Sequence, residues 1–137
     1  MKKVLIDSDV VMDFLGKRQP FYADSVKILT LCELKKIQGF VTPVIISNIY
    51  YLLRLVEKHE NVIEKLKVLM SFLDILVIDK TTIIEALNSG FSDFEDALQN
   101  YAAENSNSVS AIITRNSKDY KNSNLSVFTP TEFLKTL

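Results

Sequence analysis

Residues 1–15 read MKKVLIDSDVVMDFL: a short apolar run ends directly on Asp7, and Asp9 and Asp13 follow. KVLI suits a strand buried on both faces, and VVMDFL suits a short helix or turn. A carboxylate at the end of a buried strand loses its hydration unless something pairs with it. Neighbouring acids repel one another, which raises the pKa of one or more of them. A divalent cation relieves both problems. Oxygen donors with no His or Cys beside them favour Mg²⁺ or Mn²⁺ over zinc.

Downstream of this stretch, helices and strands alternate. Between Phe21 and Ile37, apolar residues at Tyr22, Val26, Leu29, Leu34 and Ile37 follow a helical spacing, and Cys32 falls among them as a small core residue. GFVTP reads as a strand ended by Pro43, and VIISNIYYLLRLVEKH (44–59) as the next helix. VIEKLKVLMSFL is a further amphipathic helix, ILVI a third strand, and TTIIEALNSG a helix closed by Gly90. SDFEDALQNYAAEN opens with a helix-start signature. SAIIT and LSVFT are two more strands, and PTEFLKTL is a last helix with Pro130 near its start. The expected fold is α/β: a three-layer α/β/α sandwich on a mostly parallel sheet of four to five strands, with residues 1–137 as one domain.

In open parallel sheets, ligands bind beyond the carboxyl ends of the strands. Asp7 lies after VLI, Asn116 and Asp119 lie after AIIT, and Asp93 and Asp96 open a helix, so all five are expected at one sheet edge. Structural roles are also open to these acids. Asp9 can cap the VVMDFL turn, Asp13 can be a solvated helix acid, and Asp119 can be a turn residue. Ser92 and Glu95 have capping-box spacing, and Asp93 and Asp96 suit a helix N-terminus. Arg115, Lys118 and Lys121 flank the late acids as either a phosphate-holding patch or a solvated basic face. Tyr50, Tyr51 and Tyr101 suit base stacking or core packing. His59, the sole histidine, reads as a residue at a helix C-terminal end.

Composition narrows the function classes. The chain is 47% hydrophobic and 24% charged, with three Gly and three Pro, as expected of a folded domain rather than a linker. A net charge of −1 gives no whole-chain attraction for nucleic acid, so a phosphate partner needs a local basic patch or a bridging cation. One cysteine permits no internal disulfide, which fits a cytoplasmic location. MKKVLID does not read as a signal peptide, since acids follow after only three apolar residues, and no apolar run approaches the roughly 18–20 residues that span a membrane. The glycine-rich nucleotide-binding motifs are absent.

LIDSDVVMDFL, DFEDALQ, IITRNSKDY and VFTPTEFL, in this order and at these separations, resemble the PIN domain family, metal-dependent ribonucleases found in many VapBC-type toxin–antitoxin pairs. The resemblance implies a metal and catalytic site of Asp7, Asp96, Asn116 and Asp119 with Mg²⁺ or Mn²⁺ as cofactor, and Asp9, Asn48 and Asp93 in support. It also implies an RNA substrate, an antitoxin partner and a homodimer. Two usual carboxylates are amides here, at Asn48 and Asn116. Those amides also motivate a second reading, a PIN-like binding module with a degraded metal site. A third reading is a haloacid dehalogenase-like phosphatase, with Asp7 as nucleophile, Asp9 as general acid and Lys80 as a loose candidate for the required lysine.

Overall fold

The computed structural model describes residues 1–137. Its five strands are β1 (Lys2–Ile6), β2 (Ile37–Val41), β3 (Asp74–Ile75), β4 (Ala111–Ile113) and β5 (Ser126–Phe128). They form one sheet in the order β3-β2-β1-β4-β5, and every pairing is parallel. The helices are α1 (Ser8–Leu15), α2 (Tyr22–Glu33), α3 (Pro43–Arg54), α4 (His59–Met70), α5 (Lys80–Leu87), α6 (Phe94–Asn105) and α7 (Pro130–Leu134), and a 3₁₀ turn spans Ser117–Tyr120. The helices pack in two groups, α1 with α2 and α3 and α3 with α4 in one, α5 with α6 in the other, the division expected when parallel crossovers cover both faces of a sheet.

The central strand is an uninterrupted apolar run because helices cover both its faces. Val4, Leu5 and Ile6 have no exposed surface. β2 crosses so close to its neighbours that residue 39 has to be glycine. A Cβ there would lie 2.6 Å from Cys32 Sγ and 2.9 Å from Leu73 Cδ2. Cys32 is buried, and burial pushes its thiol up to about 12, so it serves as a core residue.

Several boundaries differ from the sequence reading. α2 stops at Glu33 and does not run to Ile37. Lys35 takes a left-handed φ of 58°, and Ile37 begins β2. The long helix expected over 44–59 is two elements. α3 ends at Arg54, and His59 starts α4 instead of ending a helix. Two polar contacts close that corner: Tyr50 Oη with His59 Nδ1 at 2.9 Å, and Lys65 with Glu57 at 2.6 Å. The third strand keeps regular pairing only over Asp74–Ile75. Asn88, not Gly90, caps α5, and no glycine has a positive φ. No helix is long and apolar enough to cross a membrane.

Candidate active site

The carboxyl ends of β1 and β4 lie side by side, with Ile6 paired to Ile113, so the residues that follow each strand emerge together. Asp7 leaves β1 and caps α1. Its Oδ1 accepts a hydrogen bond from Ser8 N at 2.8 Å. Its Oδ2 accepts from Thr114 Oγ1 at 3.0 Å and from the Tyr120 hydroxyl at 3.1 Å. Asp7 is only 8% exposed, and no lysine or arginine pairs with it. Burial holds its pKa above the usual carboxylate range against those three hydrogen bonds, and the charge of Asp119 pushes the same way.

Asp96 arrives from the first turn of α6. Asp93 caps that helix, with its Oδ1 accepting from Asp96 N at 2.9 Å. The Ser92–Glu95 capping box is therefore not formed, because the neighbouring aspartate takes the cap. Glu95 instead accepts from Asn48 Nδ2 at 2.8 Å, tying α6 to α3. Below this contact, buried Thr42 Oγ1 donates to buried Gln99 Oε1 and fixes the two helices at the same edge.

Tyr120 connects the two carboxylates. Its hydroxyl lies 3.1 Å from Asp7 Oδ2 and 3.3 Å from Asp96 Oδ1, and the residue is 1% exposed. A phenol carries one proton and cannot donate to both acids at once. The second contact is satisfied when a carboxyl is protonated, and Asp96 is pushed up to about 7 by burial and then by the charges of Asp7, Asp93 and Asp119. Burial, and then the charges of Asp7 and Asp96, also push the Tyr120 phenol far upward, so it remains a donor.

The loop after β4 carries the remaining candidates. Asn116 is exposed, and its Nδ2 donates to Asp9 Oδ2 at 3.3 Å. Asp119 is exposed on the 3₁₀ turn, and Lys118 and Lys121 are exposed beside it without ion pairs. Asp9 does not cap α1, since Asp7 holds that place. Asp9 Oδ2 accepts from Arg115 N at 3.1 Å, while its Oδ1 is buried without a partner. Burial, and then the charge of Asp7, push Asp9 up to about 6.

Asp13 and Arg115 depart most from expectation. Asp13 is not a solvated acid: it is 1% exposed, with Arg18 Nε at 2.9 Å and Arg115 Nε at 2.8 Å. The second of these is a contact of charges and not an aligned hydrogen bond; Arg115 Nη2 reaches Asp13 Oδ1 at 3.3 Å. Arg115 is thus committed to Asp13 and to the Phe21 ring, 3.9 Å away, and is not a free cation for a phosphate. Tyr101 packs on Phe91 and Tyr50 bonds His59, whereas Tyr51 is exposed. Thr114 and Tyr120 complete the site. The strand end in IIT and the aromatic in KDY were the available signals for them.

The donor set suits a hard cation: carboxylate oxygens, no sulfur or imidazole, and no countercharge. No three His, Cys, Asp or Glu side chains stand together at metal-ligand distance. Two carboxylates, Asp7 and Asp96, share the Tyr120 hydroxyl, and Mg²⁺ commonly takes one or two carboxylates and fills its shell with water and phosphate oxygens. The residues therefore fit such an ion. Lys80 begins α5 and makes no ion pair with Asp7 or Asp9.

Relatives match both the chain and the shape. Ribonuclease VapC1 of Aquifex aeolicus (strain VF5) is 24% identical, over 96% of this chain and 93% of its own length. The fold resembles VapBC2 from Rickettsia felis bound to a DNA fragment from their promoter (TM-score 0.65, 16% identity, 91% of this chain and 96% of that one). It also resembles VapBC-1 from nontypeable Haemophilus influenzae (TM-score 0.68, 13% identity, 94% and 98%). A family model described as PIN domain matches residues 3–118, a span that contains Asp7, Asp96, Asn116 and the adjacent ends of β1 and β4 that place them. By that match, which sets aside the dehalogenase-like reading, the chain belongs to the PIN domain family.

Proposed function

We propose that this protein is a metal-dependent endoribonuclease that hydrolyses RNA phosphodiester bonds, using Mg²⁺ or Mn²⁺ held by Asp7 and Asp96. The observation that carries this reading is the Asp7–Asp96 pair: buried and half-buried, joined by one hydroxyl, and paired with no lysine or arginine. When bound, the ion supplies Lewis acidity at the phosphate and a water of lowered pKa. Asp7 is aimed by Ser8 N, Thr114 and Tyr120, so its orientation is set before substrate arrives. Asp119, exposed on the 3₁₀ turn, would orient a water or complete the ligand set, while the Asn116 amide, fastened to Asp9 through its Nδ2, adds no charge to the rim. Lys118 and Lys121 offset the acidic rim toward the RNA backbone.

The likeness to VapC-named proteins supports a role as the toxin of a toxin–antitoxin pair, with an antitoxin protein as partner, a homodimer as the working form and the cytoplasm as the site of action. Purified protein should cleave members of a broad RNA panel with Mn²⁺ or Mg²⁺, and EDTA should stop cleavage. Asn48 and Asn116, where the family usually carries acids, favour a second reading as a non-catalytic binding module. Folded protein that leaves the whole panel intact at millimolar Mn²⁺, and whose melting temperature does not rise with the ion, would select that reading.

A further inference from the structure

A recess of about 450 Å³ opens beside the candidate site, between the start of α2 and the start of α7. Phe21, Asp24, Arg115, Asn116, Thr129 and Thr131 line it. Asn116 connects the two places: its Nδ2 reaches Asp9 on the carboxylate side, while its Oδ1 has no partner within the chain. We propose that this recess receives one unpaired nucleobase of the RNA, next to the phosphate to be cut; this rests on the ribonuclease reading.

Three observations point to a base. Phe21 is a large aromatic left 40% exposed at the recess, and burying it under a second flat ring removes apolar surface from water. Arg115 lies with its guanidinium 3.9 Å from the Phe21 ring centre, and its contacts with Asp13 hold that wall rigid. The wall is therefore preorganised, not a mobile surface arginine. The other lining groups are hydroxyls, an amide and the Asp24 carboxylate. Asp24 accepts from the Thr131 hydroxyl and keeps its charge, so it is an acceptor for a base amino group. Asn116 Oδ1 and Arg115 Nη1, which makes no hydrogen bond in the chain, offer an acceptor and a donor to a base edge. Recognition of unpaired bases by stacking on aromatic or guanidinium planes, with edge hydrogen bonds, matches this set of groups.

The test uses the full chain and a short single-stranded RNA carrying one 2-aminopurine, a base whose fluorescence is quenched on stacking. Binding is followed in EDTA, where no cleavage occurs. The parent should quench the probe. Phe21→Leu keeps an apolar side chain without the flat ring, and should weaken binding about 10-fold and abolish quenching. Phe21→Tyr should restore both. With Mn²⁺ and a cleavable RNA, Phe21→Leu should raise KM and leave kcat near the parent value. Equal binding, quenching and KM in Phe21→Leu and the parent would overturn the nucleobase site while leaving the ribonuclease reading intact. Quenching that depends on Phe21 in a protein that cuts nothing would support the base site and sink only the nuclease. A recess that instead holds a partner polypeptide would give no Phe21-dependent quenching, which also overturns the proposal.

Discussion

Asp7 and Asp13 sit at opposite ends of the same short helix, and both are buried, but their surroundings are opposite. Asp13 is met by two guanidinium groups, Arg18 from the next turn of chain and Arg115 from across the sheet. Asp7 is met by a backbone amide, a threonine and a tyrosine, all neutral, and burial, with the charge of Asp119, raises its pKa. Burial alone therefore does not separate a structural carboxylate from a functional one. Countercharge does. The Asp13 network is electrostatically complete, whereas the Asp7–Asp96 pair lacks a positive partner that the fold does not supply.

The same conservative substitution should have opposite consequences at the two positions. Asp7→Asn should lower RNA cleavage on the order of 10²–10³-fold in a Mn²⁺ assay, the scale of losing one preorganised electrostatic group. In EDTA its melting temperature should hold or rise, since one repelling charge is gone. Unchanged cleavage would remove the case for the Asp7–Asp96 site. Asp13→Asn should instead destabilise by about 3 kcal/mol, the low end for breaking a buried ion pair because Arg18 is partly exposed. For a chain of this size that is a fall of roughly 10 °C in melting temperature. Equal stability of the two variants in EDTA would erase the distinction drawn between the two acids.

What the sequence made legible follows from range. β1 running into Asp7, the capped start of α6 near Asp96, and the β4 strand before Asn116 are local patterns, and parallel topology carries them to one edge. The role of Asp13 was not legible, because its partner Arg115 lies 102 residues away and a helical acid looks solvated until that partner is in place. Tyr120 was hidden for the same reason: its bond to Asp7 spans 113 residues. The cap of α6 was misplaced by one residue because Ser92 and Asp93 are both good caps, and only backbone geometry selects between them. The helix expected over 44–59 breaks at a corner fixed by side chains, Tyr50 with His59 and Glu57 with Lys65, which periodicity does not reveal.

A smaller effect should appear with pH. Asp96 and Asp9 hold protons in the folded state up to about 7 and about 6, whereas an unfolded aspartate releases its proton near 4. Between roughly pH 4 and 7 the folded state therefore binds more protons than the unfolded state, and stability falls as pH rises through that window. In EDTA, the melting temperature should climb as pH is lowered from 8 to 5.5, a range above the titration of Asp79 and Glu132, whose pKa values are lowered. Saturating Mn²⁺ should flatten the slope, because a bound cation holds the carboxylates ionised. A slope of the same sign and size in Asp96→Asn would show that other groups produce it.

The smallest effect is expected at Asp9, which lies between the two regions. Its Oδ2 accepts from Arg115 N at 3.1 Å and Asn116 Nδ2 at 3.3 Å, so it fastens the loop after β4 to the start of α1 as a hydrogen-bond acceptor. An asparagine carbonyl can accept the same bonds. Asp9→Asn also removes a charge that interacts with Asp7. The variant should therefore retain most of the RNA cleavage, in the same assay in which Asp7→Asn loses it. Were Asp9 an acid–base group, as a phosphatase reading of IDSDVV requires, the loss would be about 10²–10⁴-fold, and the parent would turn over a small phosphate ester. A folded Asp9→Asn protein as inactive as Asp7→Asn, with no phosphatase turnover in the parent, would instead make Asp9 a direct metal ligand. Its unpartnered Oδ1 is the atom that would reach the ion, and the boundary between the paired and unpaired carboxylates would then move from Asp7 to Asp9.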